Sequence, residues 1–373
     1  MRIGIDARLY TQTGVGRYIR NIIAELSLLD NENEYIIYLR NQEYDLVKLP
    51  TENWQKKIIN IPWHTVKEQL ILPSLLLKDN LDVVHFPYFN VPIFYPQKYL
   101  LTIHDLIVDH FDTGRASTLP YPFYLLKRFG YKISLTRGIK KASLITAISH
   151  TTKQEIIDHY NVAKDKITVT YDALDIKFLE TAKKHKAKNY YSFPYILYVG
   201  NAYPHKNLER LVMAFPKLKK IFPNIKLVLA GEDKFFYPRL KQFGKENNLE
   251  QEIIFFGNAD DSQLFNLYSF SKCLVFPSLM EGFGLPNLEA LACGILPVVS
   301  DIPVFREIWG DRLSYFDPYN IEDMAGKIQH VLQLSHGEYQ KAVLHAQKRI
   351  EDFNWKKTAL ATLKIYEMIC RSS

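Results

Sequence analysis

Glu281 and Glu289, with seven residues between them, enclose Gly282-Phe283-Gly284-Leu285-Pro286-Asn287-Leu288. The two glycines let the backbone approach a ligand closely. Pro286 suits the first turn of a helix, where its missing N–H is not needed. The helix then runs through Leu288-Glu289-Ala290-Leu291-Ala292 and stops at Gly294, a C-cap residue. Open backbone N–H groups at a helix N-terminus carry about half a positive charge, so this loop reads as an anion site. A carboxylate accepts two hydrogen bonds from a vicinal diol. Anion donors between two such acceptors describe a sugar–diphosphate–ribose ligand.

The elements that must position these residues alternate along the chain. Arg2–Ile5, Tyr35–Leu39, Lys57–Ile61, Val83–Phe86, Tyr99–Ile103 and Ser143–Ile148 read as buried strands, with helices such as Gly16–Leu29 and Thr151–Tyr160 between them. Glu180 to Ser192 is polar, basic and strandless, and reads as a linker. The pattern restarts with Tyr195–Val199, Ile225–Ala230, Glu252–Phe256, Leu274–Pro277 and Leu296–Ser300, again with helices such as Asn207–Ile221 and Tyr237–Asn247. This is a parallel α/β pattern in two Rossmann-like halves. The predicted organisation is 1–179, a linker at 180–194, 195–354, and a final helix within 355–373 that packs back on the first half. Ligands of open parallel sheets sit beyond the strand C-termini, so two such halves are expected to face a central cleft.

The length of 373 residues suits two domains, and 47% hydrophobic residues exclude a disordered chain. Three scattered cysteines supply neither a disulfide framework nor a zinc ribbon, which points to the reduced cytoplasm. No export signal and no apolar run of about 18 residues is seen.

The run EGFGLPNLEALACGILPVVSD resembles glycosyltransferase family 4, whose fold is GT-B and whose members are retaining. The resemblance implies that Glu281 binds hydroxyls of the transferred sugar and Glu289 the ribose. The amides of Gly282, Phe283, Gly284 and Leu285 would hold sugar and phosphate. Tyr198-Val199-Gly200-Asn201-Ala202-Tyr203-Pro204-His205-Lys206 matches a second family segment, in which Lys206 would reach the diphosphate as a compact cation. Many relatives carry Arg-Lys at His205-Lys206, and some carry Arg at Asn201, so a bidentate phosphate clamp is missing here. His205 reads equally as a surface residue or a phosphate contact. Ala230-Gly231-Glu232 and Phe256-Gly257-Asn258 end strands that border the base in the family. Tyr171-Asp172-Ala173 stands where relatives often have Tyr-Asn-Gly.

In the first half, Thr13-Gly14-Val15-Gly16-Arg17-Tyr18 resembles the family's glycine loop. Gly14 and Gly16 would approach the diphosphate, against the alternative of a tight strand-to-helix turn, and Arg17 is open between the two. Leu101-Thr102-Ile103-His104-Asp105 ends in the family's cleft histidine. His104 would hydrogen-bond a sugar hydroxyl, and Asp105 would orient it or meet the acceptor. His85 reads as a core histidine. No second carboxylate stands out as a nucleophile, so a front-face reaction in which the leaving diphosphate takes the acceptor proton fits better. No D-x-D sequence and no ligand spacing for a metal occurs, and no cofactor is expected beyond the substrate, GDP-mannose or a UDP-sugar.

Between Asp112 and Glu155 the chain has no acidic residue and eight cations: Arg115, Lys127, Arg128, Lys132, Arg137, Lys140, Lys141 and Lys153. The total net charge is only +7, so this is one basic region on a nearly neutral body. The segment 121–141 mixes these cations with aromatics and leucines. It reads either as a helix lying on an anionic membrane surface or as an ordinary solvated helix; nucleic acid is not indicated. The expected activity is transfer of a hexosyl group, mannose first, from a nucleotide sugar to a glycan or lipid-linked acceptor in polysaccharide or glycolipid synthesis, in the cytoplasm or on the inner membrane face. The alternatives are a nucleotide-sugar epimerase of the same fold and a non-catalytic nucleotide-sugar-binding protein.

Overall fold

The alternating apolar runs close into two separate parallel sheets. The computed structural model describes residues 1–49, 51–111, 121–232 and 234–371. One unit takes in Met1–Leu106, the stretch that ends at Asp172, and the chain from Asn354. The other is Ala173–Phe353 with the short segment that begins at Ile107.

The first unit contains β1 (Arg2–Asp6), β2 (Glu34–Leu39), β3 (Trp54–Ile58), β4 (Val83–Phe86), β5 (Tyr99–Ile103), β6 (Leu144–Ala147) and β7 (Ile167–Val169), in the order β3-β2-β1-β4-β5-β6-β7. Every pairing is parallel. All five residues of β5 are buried, as they must be in a sheet covered on both faces. The first helix, Gly14–Leu29, buries Tyr18, Ile19, Ile22, Ile23 and Leu26, one stripe at helical spacing. The last helix, Trp355–Arg371, presents Trp355, Ala359, Thr362, Tyr366 and Ile369 inward and packs on the first helix, with the Trp355 and Tyr18 rings 5.8 Å apart.

The second unit contains β8 (Tyr195–Val199), β9 (Lys226–Ala230), β10 (Ile253–Gly257), β11 (Leu274–Phe276), β12 (Pro297–Ser300) and β13 (Ser314–Phe316), in the order β10-β9-β8-β11-β12-β13. These strands are also parallel throughout. Both sheets reverse direction of winding once, between β1 and β4 and between β8 and β11. Such a reversal is where an open α/β sheet leaves a crevice for a ligand.

Two expectations shift. The strand expected at Lys57–Ile61 lies at Trp54–Ile58: it is an edge strand with a partly exposed pattern, and the apolar Ile59 and Ile61 are buried after it, in the loop. The linker expected at 180–194 begins inside a helix, Ile176–Lys184, which starts where the Asp175 carboxylate accepts the Lys177 N–H and which buries Phe178. The basic segment forms a helix, Tyr121–Lys141; Asp112, Arg115 and the side chain of Lys127 lie outside the described residues. Among the described residues, no helix is long and apolar enough to cross a membrane.

Candidate active site

The two segments that follow the reversal strands of the second unit meet through side chains. After β8 the chain turns at Gly200 and runs through a short 3-10 turn, Pro204–Lys206. After β11 it runs through Ser278 to Glu281. The Lys206 ammonium donates to Glu281 Oε1 at 2.6 Å, and the Ser278 hydroxyl donates to the same oxygen at 2.6 Å. Both ends of the ion pair are mostly shielded from water. The segments are also tied through the backbone. Leu279 N–H donates to the His205 carbonyl at 2.7 Å. Asn207, in the left-handed conformation at the start of the helix Leu208–Ile221, donates to the carbonyls of Pro277 and Pro318. A cation and a carboxylate are thus held together at the crevice by a rigid frame.

Gly282, Phe283 and Gly284 then lead into the helix Leu285–Ala292, with Pro286 in its first turn. Gly284 caps it at φ 91°, and a β-carbon there would meet the Phe305 ring at 2.7 Å and the Asn287 amide at 2.9 Å. Leu285 is half-buried at the helix start, while Phe283 is buried against Phe353. The open N–H groups of this helix supply the positive end expected of an anion site. Glu289 lies in the interior, 1% exposed, where its Oε2 accepts the Tyr268 hydroxyl at 2.8 Å.

His205 is buried, its ring near-parallel to Tyr203, and its Nδ1 has no hydrogen-bond partner. Burial, reinforced by the Lys206 charge, pushes its pKa down to about 2, so the ring is neutral. Asn201 is half-buried; its carbonyl accepts the Tyr198 hydroxyl at 2.6 Å. The strand ends beside it are stitched together by glycine. Gly231 N–H donates to the Gly257 carbonyl, and a β-carbon on Gly231 would stand 1.8 Å from the Gly200 carbonyl oxygen. Gly231→Ala is therefore expected to destabilise the protein by about 3 kcal/mol or more, read as a fall in the urea midpoint. An unchanged midpoint would mean that the crossing of the two strand ends relaxes at no cost.

In the first unit, His104 follows β5 and is buried. Its Nε2 donates to the Pro87 carbonyl at 2.9 Å, and its ring meets Tyr18 edge-on at 5.0 Å. Burial lowers its pKa to about 4, so the ring is neutral and Nδ1 is left as an acceptor. Asp105 beside it is half-buried. Gly16 is buried where a β-carbon would stand 2.6 Å from the Tyr10 carbonyl, so its own loop demands the glycine. Gly14 is exposed with open space around it, and Arg17 is half-buried one turn on. His85 is a core residue: Nδ1 bonds the Tyr366 hydroxyl and Nε2 the Thr102 hydroxyl, both at 2.7 Å.

Sequence reasoning did not anticipate two features. One is Ser278 as the second donor to Glu281. The other is Arg8, 2% exposed, which pairs with Asp6 at 2.7 Å and Glu68 at 2.6 Å, while Asn90 donates to the same Glu68 oxygen. The carboxylates raise the Arg8 pKa against the opposing effect of burial, and burial raises that of Glu68. An arginine two residues beyond a strand carries no local signal of a partner sixty positions away. Among the described residues, no three His, Cys, Asp or Glu side chains are grouped to hold a metal ion.

Comparison with known proteins covers both units. The family model for Glycosyltransferase Family 4 matches residues 13–178, and the model for Glycosyl transferases group 1 matches residues 180–349. The O-antigen chain mannosyltransferase RfbU of Salmonella typhimurium is 26% identical, over 84% of this chain and 83% of its own. The O-antigen chain mannosyltransferase B of Escherichia coli is 25% identical, over 96% of this chain and 97% of its own. Among solved structures, Anabaena HepE in complex with UDP-glucose superposes with a TM-score of 0.72 at 16% identity, over 98% of this chain and 100% of its own.

Proposed function

Because the chain belongs to the glycosyltransferases of family 4 and group 1, with their GT-B fold, we propose that it transfers mannose from a nucleoside-diphosphate sugar to a glycan or lipid-linked acceptor. The transfer retains anomeric configuration and serves cell-surface polysaccharide or lipopolysaccharide assembly. The observation that carries this reading is the Lys206–Glu281 pair at the sheet reversal, beside the N-terminus of Leu285–Ala292. A donor diphosphate would replace Glu281 as the partner of Lys206 and of the helix amides. Glu281, released from that pair, would accept hydroxyls of the sugar. Glu289 would take the ribose once the Tyr268 hydroxyl gives way. Two mannosyltransferase relatives that match over most of their length support the sugar, and the UDP-glucose complex of HepE supports a nucleotide-sugar donor.

In the reaction, the acceptor oxygen bonds to the anomeric carbon as the bond from that carbon to the diphosphate oxygen breaks, on the same face. The acceptor proton passes to the departing diphosphate. The enzyme's work is to stabilise the charge that gathers on the leaving group, through Lys206 and backbone N–H groups. Neutral His104, with Nδ1 as an acceptor, suits a hydroxyl contact and not a phosphate one. Support for a membrane-bound acceptor comes from the helix Tyr121–Lys141. Phe129, 64% exposed, and Ile133, 41% exposed, stand one turn apart, with exposed Arg128, Lys132, Arg137, Lys140 and Lys141 on the same helix. Apolar residues among cations are the pattern of an interfacial helix.

The test is incubation with a panel of nucleotide sugars, following nucleoside diphosphate release and the product by NMR. We expect release to be slow alone and faster with acceptor, and the product to keep the donor's anomeric configuration. An inverted product would overturn retention. Sugar interconversion without acceptor would identify an epimerase, and tight donor binding without turnover a binding protein.

A further inference from the structure

The second unit has another concave surface, at the C-terminal ends of β12 and β13. It is an open groove of about 520 Å³, within the range of small-molecule sites and roomy enough for more than one hexose ring. Its walls carry Asp301, Arg306, Tyr315, Asp317, Tyr319 and Lys327. The charges are largely matched within the groove. Arg306 donates twice to Asp301, at 2.6 Å each, and lies 3.7 Å from the centre of the Tyr315 ring. Asp317 accepts the Tyr319 N–H, and Asp323 accepts the Asp317 N–H. An anionic ligand would face three aspartates, and a cation would face Arg306 and Lys327. A purely apolar ligand would strand the carboxylates without water.

A neutral polyol with one apolar face meets none of these objections. Carboxylates keep free lone pairs for hydroxyls after one bond to a backbone N–H. The Tyr319 ring stands at the edge of the groove with the Arg210 guanidinium 5.3 Å from its centre, and at 64% exposure it still offers apolar ring surface to a sugar. Leu279, two residues before Glu281, also lines the groove, so its surface runs on into the loop that holds the candidate donor-sugar carboxylate. We propose that this groove is a saccharide subsite that grips non-reacting sugar units of the glycan, and that Tyr319 is its stacking platform. This rests on the glycan-acceptor reading above and adds to it a place of binding on the second unit.

The experiment is a titration of the wild type and of Tyr319→Ala with tri- and tetrasaccharides of mannose, glucose, galactose and rhamnose, each beside its monosaccharide, read by saturation-transfer NMR. The exposed ring can be removed without opening the core, and an unchanged Tm will show it. At least one oligosaccharide should bind the wild type more tightly than its monosaccharide does, and Tyr319→Ala should weaken it about tenfold. Absence of binding by every oligosaccharide, or equal binding by the variant, overturns the proposal. Nucleoside diphosphate release is measured on the same wild-type preparation. Release without oligosaccharide binding removes the groove and leaves the transferase. Tyr319-dependent binding without release from any donor removes the transferase reading and leaves a saccharide site.

Discussion

Glu281→Gln is expected to lower kcat/KM for sugar transfer about a thousandfold while leaving the fold intact. Glutamine keeps the shape of the side chain and removes its charge. One oxygen of Glu281 receives both the Lys206 ammonium and the Ser278 hydroxyl, at 2.6 Å each. The variant therefore loses its grip on the lysine before the donor arrives, and its charged acceptor for sugar hydroxyls afterwards. Loss of one preorganised electrostatic partner typically costs about 10²–10³-fold. Two consequences separate this from a structural defect. Lys206→Ala should be comparably damaging, and the double variant should be little worse than either single one, because the pair acts as a unit. Ser278→Ala should cost much less, since it removes a neutral hydrogen bond and leaves the ion pair in place. The checks are steady-state nucleoside diphosphate release with acceptor present and a urea midpoint for each variant. A Glu281→Gln enzyme that keeps a tenth of wild-type activity would remove Glu281 from the chemistry.

That pair also shows what a linear reading reaches. Each partner stands in a local motif, a strand leaving through a turn into a helix, and such motifs are written in neighbouring residues. The pairing spans 75 positions, and only the sheet order, with β8 beside β11, brings the two loops together. The inward pull of β8 and β11 was legible because their residues are buried without break. The three-residue β7 and β13 were not recognised, since edge strands that short leave no periodic signal. β3 was misplaced because Ile59 and Ile61, buried in the loop after it, mimic the apolar pattern of a strand. Arg8 and Glu68 were invisible for a further reason: charged residues are usually solvated, and their burial depends on meeting each other.

Asp172→Asn is expected to stabilise the protein, by an amount that grows with pH. Asp172 is 3% exposed, and its Oδ1 has no hydrogen-bond partner. Burial raises its pKa from 3.8 to about 7. In the unfolded chain the group ionises near 3.8, so between that value and about 7 the folded state holds the extra proton. Stability then falls as pH rises through this window, by at most about 4 kcal/mol for one group shifted this far. Asparagine cannot ionise and escapes the penalty. The wild-type profile will not show this alone, because three histidines act in the opposite sense. Burial holds His205 at about 2, His85 at about 3 and His104 at about 4, all below the usual 6.5. There the unfolded state takes up protons first, so these residues add stability as pH rises between about 4 and 6.5. The difference between variant and wild type cancels the histidines and leaves Asp172. It should be near zero at pH 4, open between pH 4 and 7, and stay level above. Urea unfolding of both proteins at pH 4, 5.5, 7 and 8.5 measures it. A difference that does not change with pH would mean that Asp172 titrates in the folded protein as it does in the unfolded chain, its charge compensated by a partner.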